Sequence, residues 1–149
     1  MKRKVAGILF ALLTLVVASS LVFADTAEET VEKKASGAGE VNFTARLNFE
    51  SEMDNHVELE LSNHGTSDML ISRQAHYIDE IGSAGSWDCR GTEDVPVGPG
   101  KSQHIKFEIA APVSHGKNSI LAFFFQYDGK WYLGKVGENN GVEYFLQHN

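Results

Sequence analysis

Residues 120–136 read ILAFFFQYDGKWYLGKV. Apart from Gln126, residues 120–127 are apolar or aromatic, the pattern of a strand covered on both faces or nearly so. Asp128-Gly129 then supplies the dipeptide that turns a hairpin, since both central residues of a type I′ turn need positive φ and these two types tolerate it. Residues 130–136 must therefore return antiparallel. Alternation sets the faces: with Phe123, Phe125 and Tyr127 turned inward, Phe124 is turned outward, and Trp131 and Tyr132 point to opposite sides of their strand.

Working outward from this hairpin, Asn139-Asn140-Gly141 marks another turn and residues 142–147 a closing strand, with Val142, Tyr144 and Leu146 on one face. On the N-terminal side, Ile105, Phe107 and Ile109 alternate with His104, Lys106 and Glu108, and a Pro99-Gly100 turn precedes them. Val41, Phe43, Ala45, Leu47 and Phe49 alternate with polar residues, as do Val57, Leu59 and Leu61. A further strand runs from Met69 to about Ile78. Residues 79–94 are the least regular, with a short strand near 87–90, and Pro112 to Asn118 reads as a loop. This gives seven or eight strands and no helix in residues 41–149.

The chain resembles the small secreted immunoglobulin-like β-sandwich modules of bacteria. The likeness lies in the alternating strands and in residues 95–102, VPVGPGKS, followed by renewed alternation. It implies an all-β, antiparallel immunoglobulin-like β-sandwich that serves as a binding scaffold. The Cys…Trp…Cys arrangement of antibody domains is absent, so no functional residue is carried over.

Residues 1–24 read as a signal peptide: Lys2, Arg3 and Lys4 precede an apolar run from Val5 to Val17, and Val22-Phe23-Ala24 places small residues where a peptidase cuts. An uncleaved membrane anchor is the competing expectation, because the apolar stretch nears the length of a span. Cleavage before Asp25 is favoured, because Ser19-Ser20 breaks the run; no span then remains in the mature form, and the protein is secreted or periplasmic. Residues 25–40 are expected to be a flexible linker, with Val31 as their only large apolar side chain.

The whole chain carries 13 basic and 20 acidic residues. All three basic residues of the leader leave with it, so the mature chain is expected at a formal charge of −10. Such a body repels a phosphate backbone, and nucleic acid is not an expected partner.

Catalysis is not expected, and no catalytic residue or cofactor is assigned. The chain has no Gly-x-Ser-x-Gly elbow, phosphate loop, His-Glu-x-x-His or paired-cysteine motif. The lone Cys89 cannot form a bridge within the chain, although a dimer through Cys89 is open in an oxidising compartment. Two candidate metal sets compete with solvated acidic faces: His56, Glu58 and Glu60 with His104 or Glu108 alongside, and Asp79, Glu80, Asp88, Glu93 and Asp94. Neither has a diagnostic spacing, and no metal ligand is assigned.

The aromatic residues carry the most binding content. Eight of the 15 fall within residues 123–145, too many for one face of the strands that hold them. The expected function is an exported, non-catalytic module that binds a protein or a cell-envelope polysaccharide through the C-terminal sheet and adjoining loops. The expected ligand-binding residues are Trp87, Phe124, Trp131, Tyr132 and Tyr144. The alternatives are a metal-binding protein, or a peptidase inhibitor that wedges loop 83–87 or 112–117 into its target.

Overall fold

The computed structural model describes residues 33–37, 41–79, 86–139 and 141–148. The expected signal peptide, Glu80 and part of the 83–87 loop lie outside them. Among the described residues the protein is all-β and antiparallel, with ten strands: β1 Lys33–Lys34, β2 Phe43–Asn48, β3 Met53–Asn63, β4 Met69–Ile78, β5 Ser86–Arg90, β6 Val95–Val97, β7 Ser102–Ser114, β8 Ile120–Tyr127, β9 Lys130–Gly137 and β10 Gly141–Leu146.

The number exceeds the seven or eight expected, for two local reasons. Residues 33–37 were expected to be linker, yet Lys33 and Lys34 pair with Ala45 and Thr44 of β2. Backbone hydrogen bonds do not need apolar side chains, so a hydrophobicity pattern could not reveal this strand. The second addition is β6, which pairs with β4 at Met69, Leu70 and Ile71 although it is only three residues long.

The strands form one hydrogen-bonded sheet in the order β1, β2, β3, β7, β5, β4, β8, β9, β10, with β6 added to β4. The sheet curls until its ends meet, giving a nearly barrel-like form. The Ser36 amide donates to the Val142 carbonyl at 2.9 Å, and the Tyr144 amide donates to the Ser36 carbonyl at 3.0 Å. That contact is a single parallel bridge. The ladder between β5 and β7 is also short, holding only Cys89 opposite Ile109 and Arg90 opposite Glu108.

The inward residues fill the space between opposed walls. Phe43 of β2 meets Phe125 of β8 edge-on at 5.4 Å between ring centres, and Phe125 stacks on Tyr132 of β9 at 5.1 Å. Phe43, Phe107, Phe123, Phe125 and Tyr77 are fully buried. Such rings dominate the burial free energy of a domain this size.

The turns follow their residue chemistry. Asp128 and Gly129 have φ of 52° and 76°, as a type I′ turn requires. Gly100 has φ of 76°, and the Lys101 amide donates to the Gly98 carbonyl at 3.0 Å, which closes the Pro99-Gly100 turn. The expected loop from Pro112 to Asn118 starts later than expected, because β7 runs through Pro112 to Ser114 and only the residues after it turn. Pro112 lies between Glu108 and Val113, where the register against β3 shifts, so its missing N–H breaks no ladder bond.

Candidate functional site

The outer faces of the sheet differ in kind from one side to the other. On β2, β3 and β7 the outward residues are polar or charged, and a central group of them is engaged with one another. Arg46 donates to Glu60 at 2.6 Å, Asn48 donates to Glu58 and Glu60 at 3.3 and 3.2 Å, and His104 lies 3.3 Å from Glu58. Burial by itself pushes the Glu60 carboxyl up. The bonds from Arg46 and Asn48, with the Arg46 and His104 charges, outweigh it and hold the group below its usual range. The register places His56 opposite Glu108 and Glu60 opposite His104, as the first metal set required. Arg46, however, occupies the Glu60 carboxylate, and among the described residues no three His, Cys, Asp or Glu side chains gather as a metal site.

A second polar group lies inside. The His115 side chain is fully buried; its Nδ1 lies 2.7 Å from the Tyr77 hydroxyl and its Nε2 lies 2.6 Å from Asp54 Oδ1. Phe49 stacks on the imidazole at 4.7 Å. Burial alone would raise the Asp54 carboxyl, but the His56 amide, His115 and the Ser51 hydroxyl bind its charged form and hold it low. This chain of groups ties β3, β4 and β7 together from within. It also fixes part of the 112–117 segment: Val113 and His115 are buried, and the His115 amide donates to the Glu52 carbonyl.

A third group lies on the outside of β4 and β5. His76 Nδ1 is 3.1 Å from Asp88 Oδ1, and His76 Nε2 meets the Ser86 hydroxyl. The order of groups resembles a hydrolytic triad, but the Asp88 side chain is 99% exposed. A carboxylate in bulk water is screened and free to turn, which deprives the imidazole of the fixed orientation that such chemistry needs. Cys89, next after Asp88 on β5, points the other way. Its thiol is buried, and burial followed by the Asp88 charge pushes it up to about 12.

The fourth face is apolar. On β8, β9 and β10 the register sets Phe124 opposite Leu133 and Leu133 opposite Phe145, so three outward apolar side chains form one row across three strands. Two residues from Leu133 along β9 stands Trp131, beside Gln126 of β8. Phe124 and Trp131 are each 38% exposed and Phe145 is 46% exposed. Lys135 caps the Phe145 ring at 5.6 Å.

The five expected binding residues therefore separate. Phe124 and Trp131 stand on this outer face. Tyr132 and Tyr144 are 7% and 3% exposed and belong to the interior, packed on Phe125 and Phe43. Trp87 is half-buried against the core, with its indole N–H 3.4 Å from Asp79 Oδ2. Leu133 and Phe145 complete the face and were not singled out from the sequence. The signal for them was present: once Tyr132 and Tyr144 are inward, their neighbours are outward. What alternation could not supply was the register that sets Leu133 between the two phenylalanines.

The chain matches no protein-family model, and a comparison with curated proteins finds no match.

Proposed function

We propose that the protein is an exported, non-catalytic binding module that docks on a protein or a cell-envelope polysaccharide through the outer face of β8, β9 and β10. The observation that carries this is the outward row Phe124, Leu133, Phe145, with both phenylalanines exposed and exposed Trp131 beside it. Aromatic side chains left in water together on one face are the usual composition of a docking surface. The immunoglobulin-like sandwich belongs to the same proposal. Its support is that, among the described residues, strand pairing joins β1, β2, β3 and β7 to the remaining strands only at two short seams, Ser36 with β10 and β5 with β7. Export rests on the character of residues 1–24.

The test is retention of the purified protein on its native cell-envelope fraction. Phe124→Ala and Trp131→Ala should each lower retention at least several-fold, while Arg46→Ala on the charged face leaves it unchanged. Equal retention of all three, each verified as folded by circular dichroism, would remove the docking face.

A further inference from the structure

Residues 33–37 fill a slot between β2 and β10, and backbone bonds hold them on both sides. Lys33 and Lys34 pair antiparallel with Ala45 and Thr44, and the Ala35 amide donates to the Phe43 carbonyl at 2.8 Å. On the other side Ser36 forms the parallel bridge to β10, donating to the Val142 carbonyl and accepting from the Tyr144 amide. We infer that this short strand is exchangeable, and that the slot between β2 and β10 accepts the same strand from a second copy of the chain. The inference stands apart from the docking face on β8, β9 and β10.

The first observation is how little the strand buries. Only Ala35 is buried, at 7% exposure, while Lys33, Lys34, Ser36 and Gly37 are exposed. The Lys33 ammonium adds one bond at the surface, to the Glu138 carbonyl. Its neighbour Phe43 on β2, by contrast, adds a fully buried ring to the same kind of backbone pairing. A segment held by exposed backbone bonds and one methyl group opens locally, without unfolding the strands beneath it.

The second is what the slot admits. Gly37 passes so close to β10 that a Cβ there would lie 2.5 Å from the Tyr144 carbonyl oxygen and 2.8 Å from its ring. The slot therefore selects a strand with a small inward residue and, two places on, a glycine, and this chain carries that pair itself. Residues 35–39, ASGAG, hold no large side chain to fix one register, and glycine-rich strands of this kind slip and swap between chains.

The third is the cost of an open slot. With the strand away, the Phe43 and Val142 carbonyls lose these donors, and both residues belong to the buried core. Two strand edges then face one gap, which is a template for another strand. The chain's own strand is tethered and refills the slot first, at an effective concentration in the millimolar range, so capture from a second copy grows with protein concentration.

Two measurements test this. In native-state hydrogen exchange the Ala35 and Ser36 amides should exchange at least about a hundredfold faster than the Phe125 amide in the core. Gly37→Ala should speed them further without moving the urea midpoint. For exchange between copies, Ser36→Cys and Glu143→Cys chains, each in a Cys89→Ala background, are mixed at about 1 mM and oxidised. The two positions face each other across the bridge, so a strand seated in the slot of a second copy joins one chain of each kind. Mixed dimers should outnumber the two like-with-like dimers together at least about threefold, where random pairing gives equal numbers. Adding Gly37→Ala to the Ser36→Cys chain should bring the ratio back toward equality. Ala35 and Ser36 amides that exchange no faster than Phe125, or mixed dimers only in the random proportion, overturn the exchangeable strand.

Discussion

The wall made by β2, β3 and β7 and the wall made by β8, β9 and β10 obey the same alternation, and both bury the inward residues at their centres. They differ only in what they send outward. Much of the first wall's charge is answered by a partner: Arg46 pairs with Glu60, Asn48 donates to Glu58, and His104 lies beside both glutamates. The second sends out Phe124, Leu133, Phe145 and Trp131. A self-satisfied polar face offers water nothing to release, while an apolar one leaves free energy to be gained on contact, at about 25 cal/mol per Å² covered. The difference teaches that the same inward pattern supports both walls, and that they are told apart by the residues the core does not take up.

The comparison is broken most severely by moving one residue along β8. Phe125→Ala should cost about 3–5 kcal/mol, because Phe125 is fully buried among Phe43, Tyr132 and Tyr144 and no collapse can fill the space of a ring. Urea denaturation measures it. Next comes Gly134→Ala, whose added Cβ would meet the Phe123 ring at 2.5 Å, with a cost of about 1–3 kcal/mol by the same assay.

Asp54→Asn should cost about 2 kcal/mol at neutral pH by weakening the bonds to His115 and the His56 amide. It should also alter the acid limb of stability. The folded-state carboxyls of Asp54 and Glu60 are held below their ordinary values of 3.8 and 4.5. Their contribution is therefore fully present above those values and is lost as pH falls through the folded-state ones. The wild-type protein should lose stability on acidification below about pH 4.5, and Asp54→Asn should flatten part of that loss; an unchanged slope would remove Asp54 from the account. On the charged wall, Arg46→Ala should cost about 1 kcal/mol or less, since the pair is partly open to water. Smallest of all, Phe124→Ala should change stability by no more than ~0.5 kcal/mol. Placed beside Phe125→Ala it sharpens the contrast most, because adjacent residues of one strand would then affect binding and folding separately.

Much of this was legible before any coordinates. Asp128-Gly129 dictated a hairpin, and alternation alone put Phe123 and Phe125 on one face and Phe124 on the other, while burial decided which face is inward. The boundaries of the strand from Met69 to Ile78 likewise follow from composition and the flanking breakers. Other features were not legible, each for a definite reason. Lys33 and Lys34 join the sheet through backbone bonds that carry no hydropathy. Pro112 sits inside a strand because a shifted register excuses its missing donor. Tyr132 and Tyr144 resemble binding residues in sequence because an aromatic ring with a polar tip suits a core and a surface alike.

The sequence by itself determined that the folded residues are β throughout, where the chain turns, and that its aromatics are too many for one side of the strands that hold them. These are local properties, set by side-chain period and by the φ values that Asp, Gly and Pro allow. Tertiary structure alone decided that Leu133 stands between Phe124 and Phe145, that Arg46 reaches Glu60, and that Ser36 meets Val142 and Tyr144 to bring the ends of the sheet together. Each is a pairing between distant residues, and it depends on register, which shifts every partner at once while leaving the alternation along each strand untouched.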